Sequence, residues 1–427
     1  MSHDSRLRSF HFDQYRQLWV LGLGFILLMH AASFWKPHLE GDEVVYLTLA
    51  RDMNWDLSHY TTCDDPTVRT FPCSIYRSSL FHHPPLFPLI LKFGYLICGR
   101  PIIFGLLFEN AAMGLLLYYA WRWMVFQQLP VAWGAIAFAG ITFCPLLLSS
   151  SVLLHHDALM GGFMACGLVA YVEALQRPTV TRAFIAGALL TIGFNLRYNA
   201  LIFLPVLVVL QIDQIFRSRY DKPDSQTKTA DAAPSQNHRW LVFGIVMTMV
   251  MTIGLQHYYR VLATYGSLMP SSFLQMTAKE AEFSPYLRTV MERKPWKTAL
   301  HLVLIYPILL AFLCPPVYRP LLKSLRSGSR DAVFIPIFLG LFAAEFYFSY
   351  SQTRYFATVT PCLFLGLPIM IRLQSPRTRT ILIGLAAISL MLMFATGFAK
   401  TQASAPDSMA IIPAPCYYIP PLRAIMY

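Results

Sequence analysis

The sequence predicts an all-α polytopic membrane protein, a bundle of about eleven transmembrane helices with interfacial helices in the first extracytoplasmic loop. Hydrophobic residues make up 56% of the 427 residues, and charged residues make up only 13%. Apolar runs long enough to cross a bilayer recur along the chain, with basic residues in the short segments between them. This pattern excludes a soluble enzyme, and it attributes the net charge of +12 to membrane topology rather than to nucleic-acid binding.

Each span is predicted from an apolar run that can cross the hydrocarbon core at 1.5 Å per residue. The first run is expected to remain as an anchor, because it is too long for the apolar region of a signal peptide and no small-residue cleavage site follows. The stretch 183–216 contains Arg197 and Pro205 and is predicted to form two short helices or a broken pair, which a membrane tolerates only at a buried or cavity-lining place. The predicted spans are 18–36, 101–121, 131–151, 158–176, 183–203, 204–216, 240–259, 298–316, 332–350, 356–371 and 380–398.

The apolar segment 84–99 decides the topology. At about sixteen residues it is shorter than a usual span, so we interpret it as an interfacial or re-entrant helix. The basic N-terminus and the short basic loops then share the cytoplasmic side, in agreement with the positive-inside rule. Asp42 and Asp157 consequently face the opposite, extracytoplasmic side.

The same topology predicts the organisation of the chain. The loop 260–297 is basic although it lies outside, and it is either a solvated amphipathic loop or a cationic lid over a lipid phosphate. The predicted parts are a cytoplasmic N-terminus at 1–17, a first module at 18–216 that includes the outside loop 37–100, a disordered cytoplasmic loop at 217–239, a transmembrane module at 240–398 and an extracytoplasmic tail at 399–427.

Cys63 and Cys73 lie in the polar part of the first outside loop. A disulfide between them is expected if that side is the periplasm or the lumen. Cys416 in the tail is left over and could pair with either of them.

Carboxylates mark two places on the extracytoplasmic side. Asp42 and Glu43 follow the first span, and a helix that begins at Asp42 brings Tyr46 one turn further along the same face. Asp157 precedes the span that continues from Ala158. The two acidic sites would flank one cleft, although both Asp42 and Asp157 could instead cap their helices.

Histidines near these acids raise the question of a metal site. Imidazole and carboxylate groups suit zinc, but no tight ligand spacing is present. We therefore assign no metal ligand and no certain cofactor, and a divalent metal stays an open alternative. The residues concerned are His82, His83, His155, His156 and Asp157.

Together these motifs resemble the GT-C class of membrane glycosyltransferases, especially the protein O-mannosyltransferases and the lipid A aminoarabinose transferases. The resemblance is strongest over about 15–210, and it implies that 18–216 is the catalytic module of a GT-C-like bundle. The segments that carry it are Asp42-Glu43 with Tyr46, Ala50-Arg51-Asp52-Met53, His83-Pro84-Pro85-Leu86, Asp157-Ala158-Leu159, Arg197-Tyr198-Asn199-Ala200 and Arg354-Tyr355.

The resemblance implies transfer of a sugar from a polyprenyl-phosphate donor to a lipid, glycan or protein acceptor, with inversion at the anomeric carbon. Asp42 matches the candidate base, and Glu43 and Asp157 would position the acceptor or a metal. Arg197 and Arg354 are candidates for binding the phosphate, for which the alternative is interfacial snorkelling. The remaining candidates for substrate binding are Tyr46, His83, His156, Tyr198 and Tyr355.

Two other classes compete with an enzyme. A flippase or transporter of lipid-linked sugars would share broken helices and cavity acids, but it should show repeat symmetry, which the sequence does not show. A non-catalytic scaffold of the same fold is the third class.

The expected location is a bacterial inner membrane with the site facing the periplasm, or alternatively an ER membrane with a lumenal site. Glu109 and Glu345 lie within spans and are expected to pair with Asn110, Tyr347 or another helix.

Overall fold

All regular elements in the described part of the chain are helical, in agreement with the predicted class. The computed structural model describes residues 16–28, 42–62, 80, 83–147, 156–220, 236–266, 295–311, 314–326, 333–349 and 353–402. The helices are α1 Arg16–Leu28, α2 Asp42–Asp52, α3 Leu86–Cys98, α4 Pro101–Phe126, α5 Val131–Phe143, α6 His156–Gln176, α7 Val180–Phe194, α8 Leu204–Tyr220, α9 Gln236–Met249, α10 Gln256–Tyr265, α11 Pro295–Ile305, α12 Ile308–Ala311, α13 Pro315–Arg326, α14 Phe334–Ser349, α15 Thr360–Arg372 and α16 Pro376–Gln402. Two 3₁₀ helices, Tyr198–Phe203 and Thr353–Thr358, and a π-helical turn, Val250–Gly254, complete the set.

Four of these helices are long and apolar enough to cross a membrane: Pro101–Phe126, His156–Gln176, Tyr198–Phe216 and Pro376–Thr396. A fifth candidate is α9 with α10, which together form a pair bent by 44°. These helices support an integral membrane protein. Several other predicted spans coincide with apolar helices of 10–17 residues, so the total of about eleven stays a prediction.

The predicted boundary inside 183–216 is wrong. Helix α7 ends at Phe194, Arg197 is extended with φ −156° and ψ 149°, and the 3₁₀ helix that begins at Tyr198 continues directly into α8. The side-chain amide of Asn195 donates to the carbonyls of Thr191 at 2.9 Å and Ile253 at 3.2 Å, which ties the end of α7 to the π-helical turn Val250–Gly254. The break therefore falls at 195–197 rather than at 203–204, and it places the buried Arg197 at a helix interruption.

The predicted span 298–316 is also broken, because α11 ends at Ile305 and α12 and α13 follow as separate helices. The predicted pair Cys63 and Cys73, most of the loop 260–297 and the chain beyond 402 lie outside the described residues.

Helices α2 and α3 lie within the predicted first loop and pack against each other. Helix α3 has 13 residues, fewer than the roughly 20 that a transmembrane helix needs. Gly99 follows it with φ 63°, a left-handed conformation that lets the chain reverse into α4. A side chain at Gly94 would lie 2.8 Å from the Cα of Pro101, so glycine permits close packing of this hairpin. The short length agrees with an interfacial or re-entrant helix, and its place in the membrane stays a prediction.

At the other end of the bundle, basic residues meet the ends of several helices. Arg372 donates to the carbonyl of Gln127 at 2.8 Å, and Arg239 donates to the carbonyl of Gln214 at 3.0 Å. Arg122 of α4 forms an ion pair with Glu173 of α6. These contacts gather at one end basic residues that the topology assigns to the cytoplasmic side.

Candidate functional site

Four residues predicted to bind substrate come together from separate segments. The Tyr46 ring from α2 lies edge-on to the His156 ring of α6, with a centroid separation of 4.8 Å. The His83 ring lies 5.3 Å from His156 and stacks on Tyr198 at 5.2 Å with an interplanar angle of 18°. We call Tyr46, His83, His156 and Tyr198 the ring cluster. It joins the segment after the first helix to the start of α6 and to the break before α8.

A buried ion pair adjoins the ring cluster. The carboxylate of Asp157, the second residue of α6, pairs with the guanidinium of Arg197, and their side chains are only 1% and 4% exposed. The Arg197 guanidinium also lies 5.6 Å from the centre of the Tyr198 ring. Two residues predicted to have separate roles are thus direct partners.

Asp42 is the first residue of α2 and precedes Tyr46 by one helical turn, while its side chain lies outside the described part. The Glu43 side chain is buried near Glu109 of α4, and the like charges of the two carboxylates repel each other. Both carboxylate oxygens of Glu109 lack a hydrogen-bond partner among the described residues, contrary to the prediction that Glu109 is paired. Glu109 lines a small cavity of about 10 Å³ with Ala158 and Leu159, so this acid lies directly behind the start of α6.

Arg354 and Tyr355 belong to the 3₁₀ helix Thr353–Thr358, and their side chains lie outside the described part. The backbone of this helix touches α6 at Gly161. A Cβ at Gly161 would lie 2.4 Å from the carbonyl oxygen of Ala357 and 2.6 Å from that of Thr358. The backbone of the Arg-Tyr turn is therefore held near the end of α6 that carries Asp157.

Two buried tyrosines that the sequence did not single out support the site. The Tyr258 hydroxyl donates to the carbonyls of Phe194 at 2.8 Å and Arg197 at 2.7 Å. The Tyr60 hydroxyl donates to the carbonyl of His83 at 3.0 Å, and burial raises the pKa of Tyr60 well above its usual value, so that this donor stays protonated. Neither tyrosine has a sequence spacing that could have revealed its role.

Glu345 of α14 joins segments behind the site. It is fully buried, and its two carboxylate oxygens accept hydrogen bonds from the Asn199 amide at 2.7 Å and from the Thr358 hydroxyl at 2.9 Å. The expectation that Glu345 pairs with another part of the bundle is confirmed. This acid therefore links the segment that follows Arg197 to the 3₁₀ helix that contains Arg354.

Within the described ranges, no three His, Cys, Asp or Glu side chains form a group that could hold a metal ion. His82 and His155, two of the histidines considered for a metal site, lie outside those ranges. A divalent metal therefore stays an alternative.

Residues 82–226 match a protein-family model described as dolichyl-phosphate-mannose-protein mannosyltransferase. The match supports a membrane glycosyltransferase of the GT-C class. It confirms the resemblance that the motifs indicate. No curated protein and no solved structure matches the chain significantly.

The matched segment 82–226 contains the ion pair and three members of the ring cluster, while Tyr46 precedes it. The arrangement combines the groups that sugar transfer needs. Imidazole and phenol groups can hydrogen-bond to hydroxyls, and a guanidinium can bind two oxygens of a phosphate. A carboxylate on α2 or α6 can accept a proton.

Proposed function

We propose that the protein transfers a sugar from a polyprenyl-phosphate donor to a lipid, glycan or protein acceptor at the extracytoplasmic face of a membrane. The family match to residues 82–226 supports the reaction class. The observation that carries the site is the contact of Tyr46 with His156 and His83, because it joins the Asp42-Glu43 segment to the matched segment.

In the proposed reaction, an acceptor hydroxyl attacks the anomeric carbon from the side opposite the lipid phosphate, which inverts the configuration. Asp42 takes the hydroxyl proton as the new carbon–oxygen bond forms. The bond to the phosphate oxygen breaks, and the phosphate leaves with the electron pair. A lipid phosphate is a stable anion, so it needs cations more than it needs a general acid.

Arg197 is the proposed cation nearest the leaving phosphate, with Arg354 as a second candidate. The contact with Asp157 holds the Arg197 guanidinium at the ring cluster. A bound phosphate would accept hydrogen bonds from N–H groups of the same guanidinium that pairs with the Asp157 carboxylate. Glu43 and Asp157 position the acceptor, and the ring cluster with Tyr355 surrounds the sugar. Surrounding membrane lipids hold the polyprenyl chain.

The proposed location is a bacterial inner membrane with the site facing the periplasm, and an ER membrane with a lumenal site is the alternative. The clustering of basic residues at the opposite end of the bundle supports this orientation through the positive-inside rule. In a background without the native cysteines, single cysteines are introduced at two exposed positions, Asn54 in the loop after α2 and Thr179 beyond the far end of α6. The proposal predicts that an impermeant thiol reagent labels position 54 from the extracytoplasmic side and position 179 from the cytoplasmic side. Labelling of both positions from the same compartment, or of position 54 from the cytoplasmic side, would contradict the proposal.

The decisive experiment compares Asp42→Asn with Asp52→Asn in an assay of transfer from radiolabelled polyprenyl-phosphate sugars. Asp52 lies on the same helix and pairs with its neighbour Arg51 at the surface, so it provides a matched control. We expect Asp42→Asn to lower the rate at least 100-fold, in the range typical of a lost general base, with normal expression. Asp52→Asn should retain activity.

Several donors and acceptors should be tried with the wild type, and the anomeric configuration of the product should be determined. Equal rates for both variants, or a product with retained configuration, would refute the role of Asp42. Movement of the labelled lipid across vesicles without sugar transfer would favour the transporter. The absence of both activities across the panel would favour the scaffold.

A further inference from the structure

A polar cavity lies at the end of the bundle opposite the candidate site. Helix α6 runs from His156 to Gln176, so the cavity is about 30 Å from the ring cluster at 1.5 Å per residue. It opens among the ends of α4, α6 and α15, the start of α14 and the middle of α8. We call it the basal cavity, and its polar lining residues are Gln127, Gln128, Gln176, Asp213, Gln214 and Arg372.

The basal cavity has the size of a small ligand. Its volume is about 240 Å³, whereas a single water needs roughly 10–15 Å³ of the same kind of space. The apolar part of its lining includes Phe126, Val172 and Leu210. A polar headgroup with an adjoining apolar portion would complement such a lining.

The charges of the cavity favour a ligand that carries both signs. Asp213 supplies a carboxylate, and the C-terminal ends of α4, α6 and α15 add the negative ends of helix dipoles, which attract a cation. Arg372 supplies a guanidinium whose position is fixed by its bond to the carbonyl of Gln127 at 2.8 Å. Amides of the glutamines can donate to or accept from the polar atoms between two such charges.

Phospholipid headgroups are available at this depth. Helices α4 and α6 are candidate spans that end at the cavity, and Arg122 and Arg239 lie close to the same end. Basic pockets between transmembrane helices on the cytoplasmic side commonly bind lipid headgroups. A wholly anionic headgroup would face the negative ends of three helix dipoles, whereas a headgroup with a neighbouring ammonium would complement them.

We propose that the basal cavity binds an amino-phosphate group, with the ammonium at Asp213 and the phosphate at Arg372, as in the headgroup of phosphatidylethanolamine. The site is independent of the proposed transfer reaction. Free phosphoethanolamine carries the same two charges and is the second source of this chemistry.

The test uses the full chain purified in detergent and stripped of lipid. Phosphatidylethanolamine, its N-acetyl derivative and phosphatidylglycerol are added separately, and bound lipid is measured by native mass spectrometry together with the unfolding temperature. The wild type should bind phosphatidylethanolamine roughly tenfold more tightly than the N-acetyl lipid, which lacks the ammonium charge. If free phosphoethanolamine raises the unfolding temperature as much as phosphatidylethanolamine does, the result would support the same site with a soluble ligand.

Asp213→Asn should abolish the preference for the ammonium-bearing lipid. Arg377→Gln is the matched control, because Arg377 is an exposed charge near the start of α16 and does not line the cavity. Equal binding of the two ethanolamine lipids by the wild type would overturn the proposal, and so would an unchanged preference in folded Asp213→Asn. If that variant does not fold, the comparison of the two lipids on the wild type still decides.

Discussion

Replacing Tyr258 by phenylalanine should loosen the turn that carries Arg197. The hydroxyl has one proton, so its contacts at 2.8 Å and 2.7 Å represent one donor shared by the carbonyls of Phe194 and Arg197. The Arg197 carbonyl also accepts from the amide of Ala200 at 3.2 Å, so it keeps one partner after the substitution. A buried acceptor that loses its partner costs about 1–3 kcal/mol. We therefore expect Tyr258→Phe to lower the free energy of unfolding by about 1–2 kcal/mol.

The same substitution should affect catalysis through position. Arg197 is held by its own ion pair and by this backbone anchor, and small displacements of positioning groups lower rates strongly. We expect the transfer rate to fall roughly tenfold. The unfolding midpoint in detergent is measured by tryptophan fluorescence. The rate of transfer is measured with a polyprenyl-phosphate sugar as donor.

Tyr259→Phe provides the control, because Tyr259 is the next residue along the helix and its side chain is 47% exposed. It should match the wild type in both assays. If the two variants have the same midpoint and the same rate, the anchoring role of Tyr258 is refuted.

Three further substitutions test the packing around the site. Gly161→Ala should destabilise the protein by about 1–3 kcal/mol, because its Cβ would lie 2.4 Å and 2.6 Å from backbone oxygens. Gly162→Ala is the control and should be tolerated, because the nearest atom to its Cβ lies at 3.9 Å. Equal unfolding midpoints for the two variants would contradict the close contact at Gly161. Asp157→Asn should cost about 3–5 kcal/mol, because it removes the carboxylate charge that pairs with the buried Arg197 guanidinium. An added Arg197→Met should recover part of this loss in the unfolding midpoint. Glu345→Gln should lower stability by about 1–2 kcal/mol, because an amide accepts on one oxygen where the carboxylate accepts on two, and an unchanged midpoint would count against that role.

Only part of the ring cluster follows from local rules. Tyr46 lies one turn from Asp42 on a helix, and His156 adjoins Asp157 at the start of another helix, so a shared side of the membrane predicts that both face one cleft. His83 and Tyr198 are predicted from the resemblance to the GT-C class, and the ring contacts themselves depend on packing. The family match covers the part of the site within 82–226. The roles assigned to these residues stay predictions.

The remaining features depend on packing between distant segments. Glu345 is 146 positions from its partner Asn199, and nothing in the spacing of these residues indicates the hydrogen bond. The predicted break at 203–204 is misplaced because it divides 183–216 by span length, whereas the chain turns at the polar residues 195–197, where the Asn195 amide donates to the carbonyl of Ile253. Glu109 was expected to be paired, and its unpartnered oxygens are apparent only once α4 is packed against α6.

The contact at Gly161 has a consequence for dissecting the protein. This glycine lies inside the segment that matches the mannosyltransferase family, and the backbone it touches begins more than a hundred residues after that segment ends. A fragment cut after residue 226 would lose the backbone against which the first turns of α6 pack. The end of the family match at residue 226 is therefore not a place where the protein can be divided. We expect the segments before and after residue 226 to fold only as one unit.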